Sequence, residues 1–239
     1  NISLEGKNLN YTYKDLGAKG LNLFANIGSY VLKTETPAAE SATVDGGGYS
    51  NANLEIQQLG IQYKIANYSI DLAYAQYAIP NWDMANYEGI RYDDNKAITE
   101  IGAKLGAALS VPYFEKAALL YDDFTNPNIE TKENKATAYG IEFGTAKVAK
   151  LGDYSLRYLD RSVGQNVGWA FLDDAHAVAN TKGSQITLTL GIVENVNFVI
   201  DHYAFRGISD TDNNGNELSE YARDKLNTSS TRFELNVKF

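Results

Sequence analysis

The sequence predicts an all-β chain: a transmembrane, antiparallel, up-and-down β-barrel. Three observations point there. Apolar and polar residues alternate through eleven segments, each of about the 9–11 residues a tilted strand needs to cross a bilayer. The connections between those segments alternate short and long without a break. Tyr 17, Phe 9 and Trp 2 make the chain aromatic-rich, and the rings recur at the ends of the apolar bands.

The segments are read as 3–14, 21–32, 53–65, 68–79, 97–109, 115–124, 136–146, 154–162, 184–193, 196–206 and 230–239. Strand side chains point alternately to opposite faces, so each segment assigns its own faces. One face takes Leu21, Leu23, Ala25 and Ile27, then Leu59, Ile61, Tyr63 and Ile65, then Tyr68, Ile70, Leu72 and Tyr74. It continues with Ile101, Ala103, Leu105 and Ala107, with Tyr139, Ile141 and Phe143, and with Ile186, Leu188, Leu190 and Ile192. The last segment adds Phe233, Leu235, Val237 and Phe239, against Arg232, Glu234, Asn236 and Lys238 on the other face. No segment keeps a 3.6-residue period.

Loop sorting argues for a membrane rather than a water-soluble meander. The short connections are Asp15–Gly20, Ala66–Asn67, Ser110–Phe114, Lys147–Asp153 and Glu194–Asn195. The long ones are Lys33–Ala52, Pro80–Lys96, Thr125–Lys135, Val163–Gly183 and Gly207–Ser229. Barrels of the bacterial outer membrane carry tight turns on one rim and long loops on the other. Tyr13, Tyr63, Tyr68, Tyr113, Tyr154 and Phe239 fall beside the short turns, and Tyr30, Tyr77, Tyr121, Tyr139 and Tyr158 toward the long loops. Two belts of amphipathic rings suit the two headgroup regions.

Composition sets further bounds. The 239 residues suffice for one closed sheet in a single domain over 1–239. A mean hydropathy of -0.34 fits a barrel, whose strands need only every second residue apolar. No apolar run reaches the length of a spanning helix. The net charge of -9 disfavours nucleic acid, which calls for a clustered basic surface. Cys is 0, so thiolate metal sites and disulfides are excluded. Single-chain bacterial barrels have even strand numbers, so eleven segments lead to the expectation that at least one strand precedes Asn1.

A terminal amphipathic strand ending on Phe239 resembles the C-terminal assembly signal of bacterial outer-membrane barrels, carried here by Phe233, Leu235, Val237 and Phe239. Three runs resemble the C-terminal part of a family of bacterial outer-membrane porins: Gly152–Leu159, Trp169–Ala175 and Gln185–Gly191. That resemblance implies a passive diffusion channel for ions and small hydrophilic solutes, seated in the outer membrane among lipid and lipopolysaccharide. It also implies insertion by the outer-membrane assembly machinery and a homotrimer. The alternative is a structural or anchoring barrel with a plugged lumen and partner-binding loops; a water-soluble β-sandwich or lipocalin-like binder is the third reading.

A channel needs a polar lining and a constriction, not a catalytic residue. The expected lining is Lys64, Asp71, Glu100, Lys104, Glu142, Arg157, Arg161, Asp201, Arg232 and Glu234. Trp169, Phe171, Asp173 and Asp174 are expected in a loop that folds into the pore or packs at a subunit contact. Phe24, Tyr77, Tyr203 and Phe205 fall in the polar phase, as an aromatic path for sugars or as gap fillers in the wall. Asp210, Asp212 and Asn214 match the first half of a calcium loop. The second half fails, with Tyr221 where the twelfth ligand belongs, so a solvated acidic loop is preferred and no cofactor is expected. No enzyme is expected: only His176 and His202 occur, and no nucleophile or phosphate-loop motif is present.

Overall fold

The computed structural model describes residues 2–34, 52–78, 97–127, 134–164, 167, 180–209, 217, 219 and 226–237. Phe239, the constriction-loop residues Trp169, Phe171, Asp173 and Asp174, and the calcium candidates Asp210, Asp212 and Asn214 lie outside them.

All eleven expected segments are strands: β1 (Ile2–Tyr13), β2 (Leu21–Thr34), β3 (Ala52–Ile65), β4 (Tyr68–Ala78), β5 (Ile98–Val111) and β6 (Phe114–Thr125), then β7 (Lys135–Gly144), β8 (Tyr154–Val163), β9 (Thr181–Val193), β10 (Val196–Gly207) and β11 (Thr228–Val237). They form one antiparallel sheet in chain order. Several ends move by two or three residues from the sequence reading. β9 begins earlier, at Thr181, and β7 stops at Gly144, whose φ of 152° departs from strand geometry.

The sheet is not closed. Among the described residues β1 and β11 are its two edges and pair only with β2 and β10. An odd number of antiparallel strands makes these edges parallel to each other, so direct pairing between them would have to be a parallel ladder.

The short connections are built in two ways. Two-residue turns close β3–β4, β5–β6 and β9–β10, with Ala66, Tyr113 and Asn195 at φ of 50°, 64° and 63°. Longer turns are tied by carboxylates. Asp15 accepts the Gly20 N–H at 2.6 Å, and Asp153 accepts the N–H groups of Ala149 and Lys150, each at 2.9 Å. The second turn leans on β9: Gly191 donates to the Asp153 carbonyl at 2.9 Å. A side chain at 191 would strike the Lys150 carbonyl oxygen.

Burial separates the two faces of the sheet, and it does so inside out. The strand residues that are buried, among them Leu54, Ala75, Ile98, Leu159, Gln185, Asp201, Tyr203 and Phe205, share the phase of the charged positions. The apolar phase is the open one: Ile61 is 45% exposed, Ile101 53% and Phe233 63%. In a water-soluble sheet the apolar face is the one that loses its solvent. Across most of the sheet the polar face is the more covered one, although on β1 and at Gln62 and Lys64 it too is exposed, and large apolar side chains look outward from the reverse face.

Tyrosines mark the loopward edge of that surface. Tyr74, Tyr121, Tyr139 and Tyr158 are all exposed on the apolar face. Past them toward the long loops come Gln76, Asp123, Thr137 and Asp160. Gln76 Nε2 donates to the Tyr74 hydroxyl at 2.9 Å, and Tyr121 donates to Asp123 at 3.4 Å. Tyr30 and Tyr77, expected in this belt, belong instead to the polar face. Their parity decides it: Tyr77 donates to Glu100, and the Tyr30 ring lies beside Gly6 and Gly28.

Candidate pore lining

Antiparallel pairing turns the polar face into oblique rows of side chains, one residue from each strand. One row reads Arg232, Asp201, Thr187, Arg157, Glu142, Ala118, Gly106, Ser69 and Lys64, from β11 to β3. The next row toward the long loops contains Tyr203, Gln185, Leu159, Gly140, Leu120, Lys104, Asp71, Gln62 and Asn22. Arg161 and Asp122 occupy the third row and Glu100 the fourth. All ten expected lining residues therefore share the polar face, on which Lys64 is exposed, with Glu234 one row turnward of Arg232.

Two further charges stand on that wall, Lys116 and Asp122, both on β6. Their parity was readable, since Ala117, Leu119 and Tyr121 take the opposite face. The segment Glu115–Phe124 simply alternates less cleanly than its neighbours, with acids at both 122 and 123.

The wall divides into three chemical sectors. β1–β3 carry amides: Asn8 donates to Asn10 at 3.2 Å, and Asn26 to Gln58 across the β2–β3 ladder. Lys64 is the charged residue in this sector. β4–β8 hold the densest charge. Glu142 accepts from Lys116 at 2.6 Å, from Lys104 at 3.4 Å and from Ser155 at 3.3 Å. Loopward of it, Tyr77 is bonded to Glu100.

β9–β11 hold a shielded carboxylate. Asp201 is 2% exposed and accepts two bonds from Gln185 Nε2, at 2.8 and 3.0 Å, and one from Thr187 Oγ1 at 2.8 Å. The Arg232 guanidinium comes within 3.9 Å of Asp201 and 2.7 Å of Glu234. A buried carboxylate is tolerable when its lone pairs are filled in this way.

The four polar-phase aromatics do not gather into one path. The Phe24 ring covers Gly60, its cross-strand partner on β3. Tyr203 and Phe205 stack on each other with centroids 5.8 Å apart and are both buried. Tyr77 stands apart on β4, tied to Glu100. Phe24, Tyr203 and Phe205 thus act as fillers of the wall.

The polar face offers hydrogen-bond donors, acceptors and fixed charge along one side of the sheet. Among the described residues no group of three His, Cys, Asp or Glu is arranged to hold a metal ion. No family profile and no curated protein sequence matches the chain.

Proposed function

We propose that this chain forms most of the wall of an outer-membrane channel through which ions and small hydrophilic solutes diffuse passively. The observation that carries the reading is the inverted burial: charged and amide side chains enclosed, Ile, Leu and Tyr exposed on the reverse face of the same strands. Hydrocarbon is the solvent in which that distribution lowers free energy, and the polar face then bounds an aqueous passage. Belts of tyrosine whose hydroxyls reach polar neighbours fit a headgroup boundary.

In hydrocarbon each unpaired edge amide or carbonyl costs several kcal/mol, so the functional state closes the sheet. One further strand, antiparallel to both β1 and β11, completes an all-antiparallel ring of even strand number. Lipid, lipopolysaccharide and the assembly machinery are the partners this reading brings, with a homotrimer as the assembly.

A plugged anchor has one observation in its favour. Gln185, Asp201, Tyr203 and Phe205 are almost fully covered on the polar face, which is what a filled lumen would produce. Planar-bilayer recording on the chain refolded into detergent separates the two. Steady ohmic steps are expected of the channel, and a membrane-inserted protein that passes no current would reject it. Failure to insert into lipid vesicles at all would reject both.

A further inference from the structure

We infer that the lining carries a binding subsite for small oxyanions, the carboxylate or phosphate group of a passing solute, formed by Arg157, Lys116 and Lys104 around Glu142. The inference deepens the channel reading and rests on it for the word passing. The site itself stands on the geometry below.

Arg157 lies directly opposite Glu142 in the β7–β8 ladder. Opposite charges so placed on one face ordinarily pair. Here they do not, because Glu142 is already engaged: Oε1 by Lys116 Nζ at 2.6 Å and Ser155 Oγ at 3.3 Å, Oε2 by Lys104 Nζ at 3.4 Å. On its other side Arg157 faces Thr187, whose hydroxyl is turned away to Asp201. The Arg157 guanidinium makes no hydrogen bond or ion pair among the described residues. Two cations thus hold one carboxylate while a third stands opposite it in the ladder, and among the described residues Asp71, the cross-strand partner of Lys104, forms no ion pair with that lysine.

Space and access are present. Beyond Glu142 the same row continues with Ala118 and Gly106, which put little bulk in front of the ammonium groups. The Lys104 and Lys116 side chains keep 43% and 32% of their exposure. A guanidinium offers a planar fork that matches a carboxylate or phosphate in two parallel bonds, and two ammonium groups add point charges beside it. Glu142 holds Lys104 of β5 and Lys116 of β6 and so competes with an incoming anion for both. The patch runs against the -9 of the whole chain, which taken alone favours cations.

Two measurements on the full chain test this. Calorimetric titration of inorganic phosphate, and separately of acetate, into the detergent-folded protein should show saturable binding. Arg157→Gln and Lys116→Gln should weaken it by about fivefold or more, as loss of a charge-assisted contact does. Glu142→Gln, which removes the competing carboxylate, should tighten it, and Lys182→Gln on the opposite face should leave it unchanged. Binding of phosphate alone assigns the subsite to phosphate esters; binding of both anions extends it to carboxylates. In planar bilayers under a KCl gradient, Arg157→Gln should lower the chloride-to-potassium permeability ratio by about threefold, because fixed lumen charge sets ion preference. Absence of saturable binding in the wild type, or affinity and permeability ratio unmoved by both Arg157→Gln and Glu142→Gln, overturns the site. Phosphate binding in the expected pattern by a protein that passes no current keeps the site and overturns the channel.

Discussion

Gln185 and Asp201 are held together by a single amide nitrogen that donates to both carboxylate oxygens, at 2.8 and 3.0 Å, and each of the two residues is at most 2% exposed. The two residues sit on β9 and β10, diagonal to one another, with Thr187 directly opposite Asp201. Asp201→Ala removes the acceptor for both donors and leaves the buried Gln185 amide nitrogen with only its 3.5 Å bond to Thr187. A loss of about 1–3 kcal/mol is expected, whereas Asp201→Asn keeps one acceptor and should cost less. Urea titration of the folded chain in lipid vesicles, read by the mobility difference between folded and unfolded species, checks both. Equal stability of wild type and Asp201→Ala would contradict the assigned bonds.

Gly60 is required by Phe24. A Cβ at 60 would run into the Phe24 ring and come within 2.7 Å of the Leu72 carbonyl oxygen. Overpacking of this kind costs about 1–3 kcal/mol, so Gly60→Ala should lower the urea midpoint. The double variant Gly60→Ala with Phe24→Leu should recover part of the loss, since the smaller side chain can move aside.

Ala66 opens the β3–β4 turn at φ 50°. A residue with a Cβ in that region carries about 1–2 kcal/mol of backbone strain. Ala66→Gly relieves it while adding some flexibility to the unfolded chain, so a small net stabilisation is expected. Refolding yield and urea midpoint are the measurements. A destabilised variant would mean the turn does not adopt this conformation.

Asp153 lies in the β7–β8 turn, outside the strands. The N–H of Ala149, and then that of Lys150, hydrogen-bonds its carboxylate and holds the carboxyl below its ordinary value of 3.8. A carboxyl lowered by folding contributes its stabilisation above the unfolded value and loses it as the pH falls through the folded one. The turn should therefore stay ordered at neutral pH and loosen only below pH 3.8. Amide exchange at Ala149 and Lys150 should accelerate in that acid range, and Asp153→Asn should remove the pH dependence. Protection that is flat down to the acid limit would count against the bonds.

Strand order, strand number and the assignment of faces were legible in the chain because alternation is local: Leu21 to Ile27, or Ile186 to Ile192, needs no knowledge of what lies opposite. The same parity already placed Glu100, Arg157 and Asp201 on the enclosed face. The belt assignment failed at Tyr30 and Tyr77, where position near a long loop was weighed above a phase that had already put Tyr77 on the polar side, and Lys116 was passed over because the β6 pattern is blurred. The loop candidates Trp169, Phe171, Asp173, Asp174, Asp210, Asp212 and Asn214 belong to stretches where no period exists to read.

By itself the sequence determined that this is an eleven-stranded meander with one greasy and one wet side, since a period of two is written residue by residue. Only the tertiary structure decided that the wet side is for the most part the more covered one, that the two outermost strands do not pair with each other, and that Glu142 is engaged by two lysines while Arg157 is left out. Those outcomes depend on register and enclosure, which join residues tens of positions apart. A row across a sheet exists only once every hairpin has settled its offset.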